Sequence, residues 1–491
     1  MIASGAGPGT RPVYRGSDAI MQTRTISTKW TEGQLPTFWD RSAIFFANLL
    51  ALFFGNETET QALRDEVGEI DSYGGPLIPL LHLLFRGDTG GGTGGGTGDN
   101  TLVLEHEPDA PLCRYFQEEL GLKLPRLSAL SHDSYVAVGR SLAQGDAAGA
   151  DRLLSGLAKH GAPWIDGFVT DDTLLRIASH LGKRTIATSE GSRKGNNKFL
   201  LHTFLESAGL PIVDTFTAAS PADVPEATRK LAELGYHDAV LKSQIGASGI
   251  GLIKLKDIAS GVSLEQIPEH MFFEGPCMVQ GWLAPGVKGV TKMLSPSVQL
   301  FLNEDAVFMY DMTEQILSQD SVHEGNVSPP PYLGEFPGLR EEMLRQAGEA
   351  GQWLHAQGYR GTASADLLLV EREGKSMPEA YICEINARVT GATYPSVLAR
   401  HFTPNGAWLL RNIRLKEPAS GERSLAKFRD PHHLYLPGRH VGVLPINFNF
   451  GADGLIHKGQ FLCLAPTPQH CHELLELAKM NLRMEWKYER D

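Results

Sequence analysis

The chain has 491 residues, of which 42% are hydrophobic and 21% are charged. This length is sufficient for about three domains with a sizeable buried core, and the composition excludes a wholly disordered, collagenous or coiled-coil protein. The 45 basic and 57 acidic residues give a net charge of −12, so we expect no binding to nucleic acid or to anionic membranes.

Three further features bear on location and chain organisation. The 5 cysteines are scattered without a CxxC pair, which predicts neither a disulfide framework nor a zinc site and favours the reducing cytoplasm. The apolar run Ala43–Phe54 is too short to span a membrane. The segment Gly87–Asn100 is dominated by glycine and predicts a mobile surface loop.

Residues 1–190 predict an open α/β domain with a partly parallel sheet. The run Ala43–Phe54 predicts a buried strand or a core helix, and Thr101–Leu104 predicts a strand. Farther along, a strand pattern at Trp164–Val169 is followed by a helical pattern at Asp172–Leu181. Strands that alternate with helices are typical of this fold class.

Residues 191–425 predict a longer α+β region. A helix is expected at Asn197–Ser207, and two β-like runs, Ala239–Leu241 and Gly251–Leu255, flank a glycine-rich turn. The later strand patterns predict one antiparallel sheet, and they lie at Met278–Leu283, Ser297–Leu302, Val307–Tyr310, Ala365–Val370 and Ala380–Ile385. Residues 426–491 predict a hairpin and an amphipathic helix, which we interpret as a small terminal module.

The first candidate site is the stretch from Lys242 to Gly251, where a strand ends in a lysine and opens into glycines. Glycines allow backbone N–H groups to approach phosphate oxygens, and the lysine adds a positive charge. The alternative is a hairpin turn whose glycines are required only because φ is positive. Residues alone leave both interpretations open, because neither the Walker pattern nor GxGxxG is present.

The second candidate site combines Asp366 with the run from Glu384 to Arg388. Alternation along a strand places Glu384 and Asn386 on one face, and a neighbouring strand can bring Asp366 beside them. Two carboxylates and an amide oxygen are ligands suited to Mg²⁺, and the fork of Arg388 suits phosphate or carboxylate. The alternative is a surface salt bridge between Arg388 and either acid.

The third candidate is the apolar run Met278–Leu283, which could offer flat walls and edge hydrogen bonds to a purine; an ordinary core strand is the alternative. In order and spacing, these motifs resemble the ATP-grasp superfamily of carboxylate–amine ligases over about residues 190 to 415. The resemblance implies an α/β architecture of three parts: an open pre-ATP-grasp domain (1–190), a two-lobed α+β ATP-grasp core (191–425) and a small C-terminal α+β domain (426–491).

The resemblance also implies a role for each candidate residue. It implies ATP as the nucleotide and Mg²⁺, or Mn²⁺ in its place, as the metal. Lys242 and Arg388 would be catalytic, and Asp366, Glu384 and Asn386 would bind the metal. The nucleotide-binding residues would be Lys198, Lys242, Gly246, Ser248, Gly249, Gly251, Gln280, Trp282 and Leu283. The sequence departs from the family at Gln280, where glutamate is common, and at Val287 and Lys288, where an acidic residue often meets the ribose.

The implied reaction is the phosphorylation of a carboxylate by ATP, followed by attack of an amine on the acyl phosphate. The chain is most similar to the pheganomycin-type peptide ligases of bacterial secondary metabolism, which join an unusual amino acid to a peptide. The expected substrates are an amino-acid carboxylate and an amine or peptide acceptor, and the expected assembly is a homodimer. A carboxylase-type ligase and a nucleotide-binding regulatory protein remain alternatives. A dinucleotide oxidoreductase is disfavoured because no glycine fingerprint follows a strand.

Overall fold

The computed structural model describes residues 26–68, 74–86, 100–247, 249–317, 323–429 and 432–486. The predicted glycine loop at 87–99 and Ser248 lie outside these ranges. Within them the backbone forms three β-sheets of eleven, four and five strands. The first described strand, β1 (Ser27–Trp30), pairs in parallel with a later strand of the largest sheet.

The five-stranded sheet builds the first part of the chain, and all of its pairings are parallel. Its strand order is β4-β3-β2-β5-β6. These strands are β2 (Ala43–Phe46), β3 (Thr101–Leu104), β4 (Arg126–Ala129), β5 (Trp164–Gly167) and β6 (Arg184–Thr185). The associated helices are α1 (Glu57–Gly68), α2 (Leu81–Leu84), α3 (Ala110–Arg114), α4 (His132–Ala143), α5 (Ala147–Leu154) and α6 (Asp172–His180).

The burial of apolar residues accounts for the parallel sheet of this domain. Every residue of β2 and β3 is buried, as expected for parallel strands that are covered on both faces. The predicted open α/β domain is confirmed. The run Ala43–Phe54 contains both predicted kinds of structure, because β2 is followed by a short 3₁₀ helix at Leu49–Phe53.

The four-stranded sheet follows helices α7 (Ser189–Gly195) and α8 (Lys198–Ser207). Its order is β7-β10-β8-β9, and its pairings are antiparallel. The elements are β7 (Thr215–Ala218), α9 (Val224–Glu233), β8 (Ala239–Ala247), β9 (Ile250–Leu255) and β10 (Cys277–Gly281). The prediction that Met278–Leu283 belongs to the later sheet is wrong. Cys277 and Val279 instead pack with residues of α9 and β8, and such long-range packing leaves no local signal in the sequence.

The largest sheet has the order β11-β15-β12-β13-β14-β17-β19-β18, and β1, β16 and β20 pair with β13, β15 and β17. Its later strands are β11 (Val290–Leu294), β12 (Pro296–Leu302), β13 (Ala306–Leu317), β14 (His323–Ser328), β15 (Gly361–Arg372), β16 (Glu379–Asn386), β17 (Ala407–Ala419), β18 (Gly442–Phe450), β19 (Ile456–Ala465) and β20 (Met484–Trp486). The helices are α10 (Leu339–Ala356), α11 (Thr393–Phe402), α12 (Gly421–Arg429) and α13 (Pro468–Leu482).

The sheets position the candidate site between them. Leu368 and Tyr381, from β15 and β16, pack against the apolar cluster of the four-stranded sheet, and α8 contacts both β8 and β16. The domain limits remain predictions: residue 190 falls within α7 and residue 425 within α12, and β17 and β18 on either side of α12 share one sheet. In the part of the chain that the structure describes, no helix is both long and apolar enough to cross a membrane.

Candidate active site

The three predicted metal ligands lie together on the antiparallel hairpin of β15 and β16. In the register of these strands, Asp366 is opposite Glu384 and Ser364 is opposite Asn386. The Asn386 Nδ2 donates to Asp366 Oδ2 at 2.9 Å. The other oxygen of Asp366 accepts hydrogen bonds from Ser297 Oγ at 2.7 Å and Ser364 Oγ at 3.1 Å. The hairpin therefore brings two carboxylates and an amide to one place.

A β-bulge produces this arrangement. The register shifts after Asp366, since Leu367 is opposite Ile382 and Cys383 is the additional residue of β16. Ile382 and Ile385 are three residues apart and both belong to the cluster that packs around α10. Without the bulge, alternation would place them on opposite faces.

The electrostatics of the cluster favour a bound cation. Burial, with a smaller contribution from the Glu384 carboxylate, raises the pKa of Asp366 to about 6, although the Ser297 and Ser364 hydroxyls and Arg388 act in the opposite direction. Asn386 Oδ1 is buried and has no hydrogen-bond partner among the described residues. A divalent cation would satisfy this oxygen and reduce the repulsion between the acids, so the donor set fits Mg²⁺. Among all the residues that the structure describes, no group of three or more His, Cys, Asp or Glu could hold a metal. The site therefore depends on the amide.

Lys198 connects this cluster to the glycine turn. It is the first residue of α8, which begins there because the Asn197 side chain caps the helix by accepting from Leu200 N at 2.9 Å. Lys198 Nζ lies 2.7 Å from Glu384 Oε1 and donates to Gly246 O at 3.1 Å. The ammonium group therefore contacts both the largest sheet and the four-stranded sheet, and we call the space between these two sheets the cleft.

Lys242 lies on β8 and faces the end of β10. Its Nζ donates to Gln280 Oε1 at 2.7 Å, and Gln280 Nε2 donates to Thr215 Oγ1 at 3.0 Å. Burial lowers the pKa of Lys242, and the nearby Lys198 acts in the same direction. Two lysines thus converge on the cleft, and the hydrogen-bond acceptor of Lys242 is a neutral amide.

The glycine turn is a hairpin turn between β8 and β9. Gly249 and Gly251 have φ values of +84° and +78°, where glycine is favoured. At Gly246 an added Cβ would lie 2.5 Å from Ile250 O, so no side chain fits there. Backbone geometry alone accounts for these three glycines, and their contact with phosphate remains a prediction, as does the role of Ser248.

Arg388 is buried and held by a residue that the sequence did not single out. Its Nη1 donates to Asn196 Oδ1 at 2.6 Å, and the same oxygen accepts from Ala387 N at 3.1 Å. Glu384 pairs instead with Lys198. The alternative of a surface salt bridge between Arg388 and either acid is therefore wrong. Asn196 immediately precedes Asn197 in the run Gly-Asn-Asn-Lys, and only this run of amides before the lysine could have indicated it.

The run Met278–Leu283, which is the predicted purine hinge, comprises most of β10 and the two residues after it. Leu283 is buried, and the Trp282 ring lies 4.5 Å from Lys254 Nζ. A cavity of about 400 Å³ next to the hinge is lined in part by Leu283, Lys288 and Tyr381. Lys288 Nζ lies 2.8 Å from Asp214 Oδ2, so the cation that replaces the family's acidic residue has its own acid beside it.

Comparisons with known proteins place this geometry in context. No family model matches the chain. The butirosin acyl-carrier protein–L-glutamate ligase of Niallia circulans is 28% identical over 230 residues, which is 46% of this chain and 51% of that protein. The chain therefore spans about half the length of the curated relative that it matches.

Solved structures cover much more of the chain. A biotin carboxylase of Campylobacter jejuni in a β,γ-ATP complex aligns with a TM-score of 0.56 and 15% identity, over 91% of this chain and 92% of that one. The biotin carboxylase domain of the Hydrogenobacter thermophilus 2-oxoglutarate carboxylase gives 0.52 and 13%, over 91% of each chain. The carboxyaminoimidazole ribonucleotide synthase of Aspergillus clavatus, complexed with ATP, gives 0.50 and 12%, over 91% and 99%. As the order of its motifs predicted, the chain has the fold of the ATP-grasp superfamily.

Proposed function

We propose that the chain is an ATP-dependent ligase that activates a carboxylate as an acyl phosphate and transfers it to an amine. The observation that carries this proposal is the convergence of Asp366, Glu384 and Asn386 with two lysines in one cleft. Binding of a nucleotide would need the lysines, but not an additional pair of acids with an unpaired amide oxygen. A site for phosphoryl transfer needs both.

Asp366, Glu384 and Asn386 would hold Mg²⁺ or Mn²⁺. When bound, the metal would supply positive charge to the triphosphate. The unpaired Asn386 Oδ1 supports this assignment. Ser297 and Ser364 hold one oxygen of Asp366 in place and so orient the carboxyl group.

The lysines would bind the phosphates by exchanging partners. Lys198 would move from Glu384 toward a phosphate oxygen while it keeps its contact with Gly246 O. Lys242 would replace the neutral Gln280 amide with an anionic oxygen. Each exchange gives a charge-assisted hydrogen bond, which is stronger than one to a neutral acceptor.

Arg388 would stabilise charge on the reacting carboxyl group. The bond to Asn196 occupies one of the five donors of the guanidinium group and fixes its orientation. The remaining donors can bind the acyl phosphate and the oxyanion that forms when the amine attacks. An acyl phosphate that is exposed to water hydrolyses, so the site must exclude water. The glycine turn would help to do so.

We propose an amino acid as the carboxylate substrate, and an amino acid or peptide in secondary metabolism as the acceptor. The name of the curated relative includes L-glutamate and an acyl-carrier protein, which supports the inclusion of both in a substrate panel. The pheganomycin-type subfamily, the homodimer and the cytoplasmic location remain predictions.

The test is to measure ADP release with a panel of amino acids, peptides and carrier proteins, and to identify products by mass spectrometry. Hydroxylamine in place of the acceptor should trap the acyl phosphate as a hydroxamate. Glu384→Gln should abolish ADP release, whereas Glu373→Gln, an exposed acid beyond the end of β15, should leave it unchanged. Release that depends on bicarbonate would favour the carboxylase-type alternative. Binding of nucleotide without any acceptor-dependent release of ADP would favour a regulatory protein.

A further inference from the structure

The glycine turn between β8 and β9 packs against the first sheet domain. The short helix Leu49–Phe53 contacts β8, and α1 contacts β9. Ile245 and Ile250, which flank the turn, belong to the same hydrophobic cluster as the apolar residues of the short helix. The position of the turn therefore depends on the first domain as well as on its own sheet.

A polar contact joins Asn56, the residue before α1, to the 3₁₀ helix Glu269–Phe272, which precedes β10. Asn56 Oδ1 accepts from Glu59 N at 3.3 Å, and Asn56 Nδ2 donates to His270 O at 3.2 Å. Nearby, Arg193 forms a bidentate pair with Glu274, with distances of 2.8 and 3.0 Å. The bond from Asn56 holds the first turn of α1 beside this segment, and α1 also contacts β9.

Glu59 is the residue of α1 that reaches the glycine turn. Its side chain is only 3% exposed. A Cβ added at Gly251 would lie 3.3 Å from Glu59 Oε1 and 2.2 Å from Ser243 Oγ, so glycine leaves room for both groups. Ser243 Oγ lies 2.6 Å from Ile245 O and 3.2 Å from Gly251 O, and thus joins the two sides of the turn. The Glu59 carboxyl group lies at this junction.

Packing alone does not account for a glutamate at this position. Glu59 Oε1 is buried and has no hydrogen-bond partner within the described ranges. Burial raises the pKa of Glu59 to about 7, while the Ser243 hydroxyl and Lys198 act against this rise and Glu274 adds to it. A buried carboxyl group with an unpaired oxygen lowers stability.

We infer that Glu59 is a positioning residue, by which the first domain holds the glycine turn against the cleft through Ser243 and Gly251. Lys198 lies close to the same junction, since it donates to Gly246 O. The turn and the ammonium group would then be fixed together. The effect on turnover rests on the proposed function, but the effect on the turn does not.

The structural test is hydrogen exchange of residues 243–255 in the free protein. Glu59→Ala should accelerate exchange in this segment by roughly 10-fold or more, because a local anchor is lost. Glu59→Gln keeps the shape of the neutral acid and should stay close to wild type. The matched control is Glu57→Ala, which removes an exposed acid from the same helical turn and should change nothing.

Equal exchange in Glu59→Ala and Glu57→Ala would overturn the inference. If Glu59→Ala does not fold, Glu59→Leu decides, because it fills the buried position without a polar group: faster exchange in the turn supports the inference, and exchange at the wild-type rate overturns it. In turnover assays, Glu59→Ala should raise the KM for ATP and the fraction of ADP released without product, and Glu59→Gln should restore both. Failure of the proposed function would remove these kinetic effects but would leave the exchange result unchanged.

Discussion

Replacing Asp366 with asparagine should stabilise the metal-free protein while it abolishes activity. The aspartate is held by Ser297, Ser364 and Asn386 in a place where burial and Glu384 disfavour its charge. An asparagine can keep the bonds from both serines through its oxygen. If the Asn386 amide rotates, its unpaired oxygen accepts from the new NH₂ group, so the variant would lose a charge and gain a satisfied acceptor.

The size of this effect follows from the pKa of Asp366. It rises from 3.8 to about 6 in the folded protein, so the unfolded chain loses its proton at lower pH than the native one. The contribution of the acid to stability therefore falls as the pH rises from about 4 to about 6 and is constant above that range. A shift of this size corresponds to about 3 kcal/mol at pH 8. Asparagine does not titrate, so the advantage of the variant should disappear toward pH 4.

The assay is urea denaturation of wild type and Asp366→Asn at several pH values, with and without Mg²⁺. Magnesium should raise the stability of wild type and should have a much smaller effect on the variant, because a charged ligand is missing. Glu373→Gln serves as the control for loss of a single exposed acid. A variant that is less stable than wild type at pH 8 without metal would refute the electrostatic reasoning. An unchanged stabilisation by Mg²⁺ would refute the assignment of Asp366 as a ligand.

Three further predictions test other parts of the structure. Arg388→Lys should lower kcat by roughly 100-fold or more with little change in the KM for ATP, because an ammonium group cannot replace the fork; steady-state kinetics measure both. Gly246→Ala should destabilise the protein by about 1–3 kcal/mol in urea denaturation, since its Cβ would meet Ile250 O; Gly161→Ala, at an open position, should be neutral in the same assay. Asp166→Asn should gain stability relative to wild type as the pH rises from about 4 to about 7, because burial raises the pKa of Asp166 to about 7; urea denaturation measures this difference, and a difference that does not grow over this range would contradict the prediction.

Local patterns predicted the parts of the site that depend on neighbouring residues. The strand Gly361–Arg372 and its partner Glu379–Asn386 are close in sequence, so their pairing, and with it the meeting of Asp366 and Glu384, followed from strand patterns. Lys198 begins α8 because Asn197 is a helix-capping residue. Both features depend on residues that are close together in the sequence.

Contacts between distant segments were not predictable in this way. Ser297 reaches Asp366 from β12, and Asn196 reaches Arg388 from the position directly after α7; neither belongs to a motif. The bulge at Cys383 had a weak signal, since the apolar residues Ile382 and Ile385 break the two-residue period. The strand that contains Gln280 was assigned to the wrong sheet because its pattern fits either one, and packing against α9 decides.

The charges of the cleft favour joint binding of metal and nucleotide. Without ligands, two carboxylates face the three cationic side chains of Lys198, Lys242 and Arg388, and Lys198 already neutralises Glu384. A divalent cation alone would meet these positive groups, and a triphosphate alone would meet the two acids. If both bound, Asp366, Glu384 and Asn386 would hold the cation, and Lys198 would be free to bind an anion. On the proposed function, the pair between Lys198 and Glu384 would have to open before either ligand is fully bound.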